Sequence, residues 1–207
     1  MPLLRHRLRN GRLNQIAYSL FLFIRDVAGG DLVGWIDQQL RQRVKDPVVA
    51  VERVIGPMRH IFGVSDKVLA MALASLFIGA RRVRPRWFRI GVRLIAIDTL
   101  VHNFLHRSGI LRRFGAEHPY GPRCYEDGGC AGIIRTVASR IDARLFNSAY
   151  PANFPRMVQF AIWRFCAADG LNVCNGNMID DTAACTNATC GLRQKCDHIT
   201  LNLTKSR

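Results

Sequence analysis

Acidic residues are scarce in this sequence: 15 Asp and Glu stand against 30 Lys and Arg, for a formal charge of +15. The excess, nearly all of it arginine, says nothing about fold but favours a polyanionic partner, either nucleic acid or an anionic membrane surface. Long apolar runs are absent as well. Spanning a bilayer takes about eighteen consecutive apolar residues, and the longest candidate, 17–24, falls far short, so a soluble protein with no membrane partner is expected. The N-terminal MPLLRHRLRNGRL is basic but has no apolar signal segment and no small-residue cleavage site. The expectation is therefore intracellular residence, in the cytoplasm or nucleoid if the source is bacterial. No Walker phosphate loop, GxGxxG, HExxH or GxSxG elbow occurs, which leaves nucleotide hydrolysis, dinucleotide redox chemistry and serine hydrolysis without support. Repeats, low-complexity tracts and strand-rich regions are missing too.

What is present is a chain of 207 residues, 49% apolar, enough for a substantial core, with room for two lobes. Apolar residues at three- and four-residue spacing predict helices over 13–27, 31–44, 47–62 and 65–78, separated by Gly-Gly, Asp-Pro and Gly-Val breaks. Further helices are predicted over 98–106, 131–145 and 155–168. The basic stretch RRVRPRWFRIGVR at 81–93 contains Pro85 and reads as a connector at its start, and 111–129, rich in Gly, Pro and charge, reads as a connection.

Seven cysteines are an odd number, and five of them fall between Cys166 and Cys196. In a reducing compartment this points to metal ligation more than to disulfides. Cys174, Cys185, Cys190 and Cys196 follow C-x10-C-x4-C-x5-C, and four such thiolates can hold an iron-sulfur cluster or zinc; the spacing alone settles neither. Cys166 reads as a buried small hydrophobe that could replace Cys174 as a ligand, and Cys124 and Cys130, flanking YEDGG, read as structural. His102 and His106 are four apart on one helix, a spacing that permits a metal site, but no third ligand is evident. The sequons at Asn187 and Asn202 read as chance matches in an intracellular chain.

Two segments carry a sharper signal. MRHIFGVSDKVLAMAL reads as a helix, a turn centred on Gly63 and a second helix opening near Lys67. The unpaired first amides of that helix, with Gly63, Val64 and Ser65 at the turn, suit a DNA phosphate, gripped without reading sequence. LIAIDTLVHNFLHRSGIL places Asp98 after four apolar residues at the start of a helix, where a carboxylate can cap the helix or face a cationic reaction centre. Arg81, Arg82, Arg84 and Arg86 could grip the DNA backbone and Trp87 could wedge into the base stack, or Trp87 and Phe88 could simply pack on the core.

Together these segments resemble the helix-hairpin-helix DNA glycosylase superfamily, which includes endonuclease III and 8-oxoguanine DNA glycosylase. The hairpin pattern of that family, apolar-x-G-apolar-G-x-K, is matched over 61–67 with Ser65 in place of its second glycine. Its catalytic aspartate motif is matched at Ile97, Asp98 and Thr99, and the likeness is strongest over 56–111. The resemblance implies an all-α, two-lobed fold, with residues 31–130 as a helical barrel and residues 1–30 plus 131–207 as the second lobe. It implies a monomer acting on double-stranded DNA that contains a damaged or modified base. The base would be flipped out, Asp98 would stabilise the oxocarbenium-like sugar, and Lys67 would form a Schiff base that leads to strand cleavage. A [4Fe-4S] cluster on Cys174, Cys185, Cys190 and Cys196 is implied, with zinc as the alternative. A helical DNA-binding module with a structural metal and no catalysis remains the other reading.

Overall fold

Aspartate side chains cap three of the described α-helices, at Asp31, Asp46 and Asp98. The computed structural model describes residues 7–8, 11–41, 46–175 and 179–201. The expected all-α class holds for them: apart from a two-residue antiparallel pairing of β1 (Arg7–Leu8) with β2 (Gly11–Arg12), the regular structure is helical. None of these helices is long and apolar enough to cross a membrane. The chain divides into two compact units, Met1–Leu94 and Ile95–Arg207.

In the first unit, α1 (Leu13–Leu22) runs on into a π-turn (Phe23–Val27) and stops at Gly29 and Gly30. Asp31 caps α2 (Leu32–Gln39) by accepting from the Gly34 amide at 2.8 Å, and Asp46 caps α3 (Pro47–Met58) by accepting from Val48 at 2.8 Å. The last positions of the helix predicted over 31–44, residues 42–44, lie outside the described residues, as does the sequon at Asn202. Then come α4 (Asp66–Gly79) and α5 (Pro85–Gly91). The connector expected at the start of 81–93 is a turn over 81–83, and a helix follows it because Pro85 sits at its first position, where the missing N–H costs nothing and the fixed φ is already helical. Ile36, Val54, Leu73, Phe77 and Trp87 form the centre of this unit's core.

The second unit opens with the buried run Ile95, Ala96 and Ile97, which leads to Asp98 and α6 (Thr99–Arg107). After α7 (Ile110–Arg113), an irregular connection with one 3-10 turn at Pro122–Tyr125 reaches α8 (Cys130–Ala138), and α9 (Pro155–Cys166) packs on both α6 and α8. Val101, Leu105, Leu111, Ile133 and Ile134 fill the core, with Val158 and Ile162 of α9 against them. The C-terminal segment returns to α6, since the Ile199 amide donates to the Arg107 carbonyl at 3.0 Å and Asp197 pairs with Arg112 at 2.7 Å.

Candidate functional site

In the core of the second unit four chemically reactive side chains converge. His102 comes from the middle of α6, His118 from the irregular connection, Cys124 from the 3-10 turn, and Cys130 is the first residue of α8. All four are buried, with 5%, 8%, 0% and 0% of their surface exposed. Their ligand atoms all lie within 4.8 Å of one another. His102 Nδ1 is 3.4 Å from Cys130 Sγ and 3.5 Å from Cys124 Sγ, and His118 Nε2 is 3.5 Å from Cys130 Sγ. His118 Nδ1 lies 2.6 Å from the Ala116 carbonyl, which can only accept, so the proton sits on Nδ1 and Nε2 turns its lone pair to the cluster.

The local chain is built for this convergence. A Cβ at Gly129 would lie 2.1 Å from the Arg123 carbonyl oxygen, so only glycine lets the 3-10 turn press against the start of α8 and bring Cys124 to Cys130. The Cys130 thiol, ahead of the two imidazoles, draws Cys124 down to about 3, while the same contact and burial push Cys130 up. Two sulfurs and two imidazole nitrogens at this separation can bind a metal ion, zinc among them.

Close to this cluster in the same unit stands Asp98. It is half-buried, and its carboxylate accepts from the Val101 amide at 2.9 Å as the cap of α6. The peptide just before it is clasped by two phenols: Tyr125 Oη accepts from the Ile97 amide at 2.9 Å, and Tyr120 Oη donates to the Ile97 carbonyl at 3.4 Å. Burial, with the Asp98 charge adding to it, pushes the Tyr120 phenol up.

Cys174, Cys185, Cys190 and Cys196 line one cavity of about 30 Å³ together with Arg107 and His198. That volume is far below the few hundred Å³ of a pocket for an organic ligand. All seven cysteines are unpaired. Cys166, at the end of α9, is buried against Cys174, and this contact, partly opposed by burial and aided by the Arg107 charge, lowers Cys174 to about 7. Arg107 is 2% exposed; its Nη2 reaches Asp181 at 3.2 Å, and its Nη1 has no partner among the described residues. Asn187 is engaged locally, donating to the Val173 carbonyl at 3.2 Å.

The first unit holds the other expected residues. Gly63, with φ +72°, turns the chain between α3 and α4, flanked by Val64 and Ser65, and Ser65 occupies the cap position of α4. Lys67 is half-buried on the first turn of α4 and makes no ion pair among the described residues. Its neighbour Asp66, whose charge would repel a phosphate there, is held by Arg59 at 2.7 Å, and Arg59 also pairs with Glu52 of α3. Arg81, Arg82 and Arg86 are exposed, Arg81 lying over the Phe88 ring, whereas Arg84 is paired with Asp37. Trp87 belongs to the core: it is 2% exposed, tilted against Phe77, and its Nε1 donates to Asp37 at 2.6 Å. A buried indole with its N–H satisfied is not presented to a base stack. Lys67 thus lies in the first unit and Asp98 in the second.

His118 and Tyr125 are absent from the sequence-based site. The pairing of His102 with His106 was the available signal, but His106 turns to the Thr200 carbonyl at 3.2 Å, and the partners of His102 come instead from the connection. No protein-family model, no curated protein and no solved structure matches this chain.

Proposed function

We propose that the chain is a DNA repair glycosylase that removes a damaged or modified base flipped out of duplex DNA, and that it also cleaves the strand through Lys67. The observation that carries this reading is Asp98: a half-buried carboxylate at a helix start, with the backbone of its neighbour Ile97 held by Tyr120 and Tyr125. Preorganised negative charge is what an oxocarbenium-like sugar needs, because it costs no rearrangement as the glycosidic bond breaks. Lys67, once its amine is neutral, attacks the anomeric carbon and displaces the base; the sugar ring then opens, its ring oxygen taking a proton to become a hydroxyl, which leaves the Schiff base, and elimination of the 3′ phosphate cuts the strand. The hairpin of α3, Gly63 and α4 supplies outward amides for a phosphate, and the exposed Arg81, Arg82 and Arg86 add cations for the backbone.

We assign a [4Fe-4S] cluster to the C-terminal thiols. They share a small cavity, and the partnerless Arg107 Nη1 is a buried cation suited to an anionic cluster. Among the described residues only the His102 tetrad has its ligand atoms all within 4.8 Å, so these four thiols are spread more widely than the edges of about 3.8 Å expected around one zinc ion. Cys174, Cys185, Cys190 and Cys196 would hold the cluster, whose contribution there is to order the segment.

The capping bond that Asp98 accepts from Val101 favours a second reading, a non-catalytic DNA-binding module in which Asp98 only starts a helix. Borohydride reduction of the full chain on duplexes with abasic sites and a panel of base lesions separates the two. The glycosylase reading predicts a covalent adduct that Lys67→Ala abolishes, and base release lowered about 10²-fold or more by Asp98→Asn. Neither trapping nor release on any lesion would leave the binding module.

A further inference from the structure

We infer that His102, His118, Cys124 and Cys130 bind one zinc ion as a closed structural site, separate from the C-terminal thiols, and that this ion fixes the connection between α7 and α8 onto α6. The spacing, H-x15-H-x5-C-x5-C, matches no short metal signature, and the site is visible only in three dimensions.

Distances make the case first. Around a tetrahedral zinc with bonds of about 2.0 to 2.1 Å to nitrogen and about 2.3 Å to sulfur, a nitrogen and a sulfur stand about 3.6 Å apart. Three of the four nitrogen-sulfur separations are 3.4, 3.5 and 3.5 Å, and all four ligand atoms lie within 4.8 Å of one another. These three separations match the edges of a tetrahedron with the donors at its corners and one ion at its centre. A two-iron cluster would need its ligand pairs further apart.

Charge and burial point the same way. With both cysteines bound as thiolates and both imidazoles neutral, the dication and two thiolates leave no net charge in a core of Ile95, Ile97, Val101 and Leu105. With all four positions taken by protein and each residue buried, no place is open for water or substrate. That geometry is structural and not catalytic. The bond from His118 Nδ1 to the Ala116 carbonyl orients the ring from behind, as outer partners of metal-bound histidines do.

The chain gains order from the ion where it has little else. Between α7 and α8 the regular structure is one four-residue turn, Pro122–Tyr125, yet this connection supplies Tyr120 and Tyr125 to the peptide ahead of Asp98. Anchoring residues 118, 124 and 130 pins the segment on both sides of each tyrosine. This consequence for Asp98 rests on the reading proposed above; the metal site itself does not.

Cadmium NMR of the full chain, freed of metal with a chelator and reloaded with 113Cd2+, tests the site, because a two-sulfur, two-nitrogen centre and a four-sulfur centre resonate in different ranges. The expected spectrum has a two-sulfur, two-nitrogen resonance that persists in Cys185→Ser, disappears in His118→Ala and moves to the three-sulfur range in His118→Cys. The last variant keeps four donors, so it separates ligation from folding. Absence of that resonance from the wild-type chain, or its persistence unchanged in both His118 variants, would overturn the inference. Neither outcome bears on glycosylase activity.

Discussion

Tyr125 connects the two chemical regions of the second unit at the level of single atoms. Its ring stands one residue from Cys124, and its hydroxyl meets both the amide of Ile97, at 2.9 Å, and the carbonyl, at 3.3 Å. Removing the hydroxyl leaves the ring and the metal ligands in place but takes away a partner of a peptide next to Asp98. The account makes Tyr125 a positioning residue. Tyr125→Phe should lower the rate of base release about 5- to 10-fold, the equivalent of one neutral hydrogen bond of about 1 to 1.5 kcal/mol. DNA affinity and bound zinc should be unchanged, and single-turnover kinetics beside metal analysis read both. An equal loss of metal would mean that the residue serves the fold alone. At this scale the sequence was partly legible. The spacing of His102 and His106 permits a metal site but shows no third ligand, and Cys124 and Cys130 read as structural. What joins them is the path of an irregular connection, and no periodicity in a sequence encodes that path.

Among the elements, α4 and α5 show how packing decides what propensity leaves open. The segment 81–93 reads as a connector at its start, and a turn over 81–83 stands there; what the sequence leaves open is that Pro85 then starts a helix. The helices α3 and α4 were legible because their apolar residues recur at helical spacing, with Val54, Ile55 and Met58 of one and Leu69, Leu73 and Phe77 of the other buried. Trp87 was ambiguous in the sequence, since an indole serves a core or a base stack equally well, and only the position of Asp37 resolves it. The close approach of α4 and α5 depends on Gly91. A Cβ there would come within 2.8 Å of the Phe77 Cβ and 3.1 Å of the Ile78 backbone nitrogen. Gly91→Ala should therefore destabilise the chain by about 1 to 3 kcal/mol through overpacking, seen as a lower urea midpoint. Gly79→Ala is the control, because nothing lies within 4 Å of the added methyl. A Gly91→Ala midpoint no lower than that of the control would refute the packing described for α5.

For the whole molecule, a formal charge of +15 and an exposed set of arginines suit a polyanionic partner. The all-α class was legible throughout, because helical periodicity is local. The relation between a lysine in one unit and an aspartate in the other is not local, and the resemblance to helix-hairpin-helix glycosylases is what joins them in this account. Mapping the attachment site is the most direct test of that join: the full chain is reduced with borohydride on a lesion-bearing duplex, digested with a protease and a nuclease, and the modified peptide is sequenced by mass spectrometry. The account predicts a deoxyribose remnant on the Nζ of Lys67 and none in Asp98→Asn. A remnant on another residue, or an unmodified chain on every lesion, would contradict it.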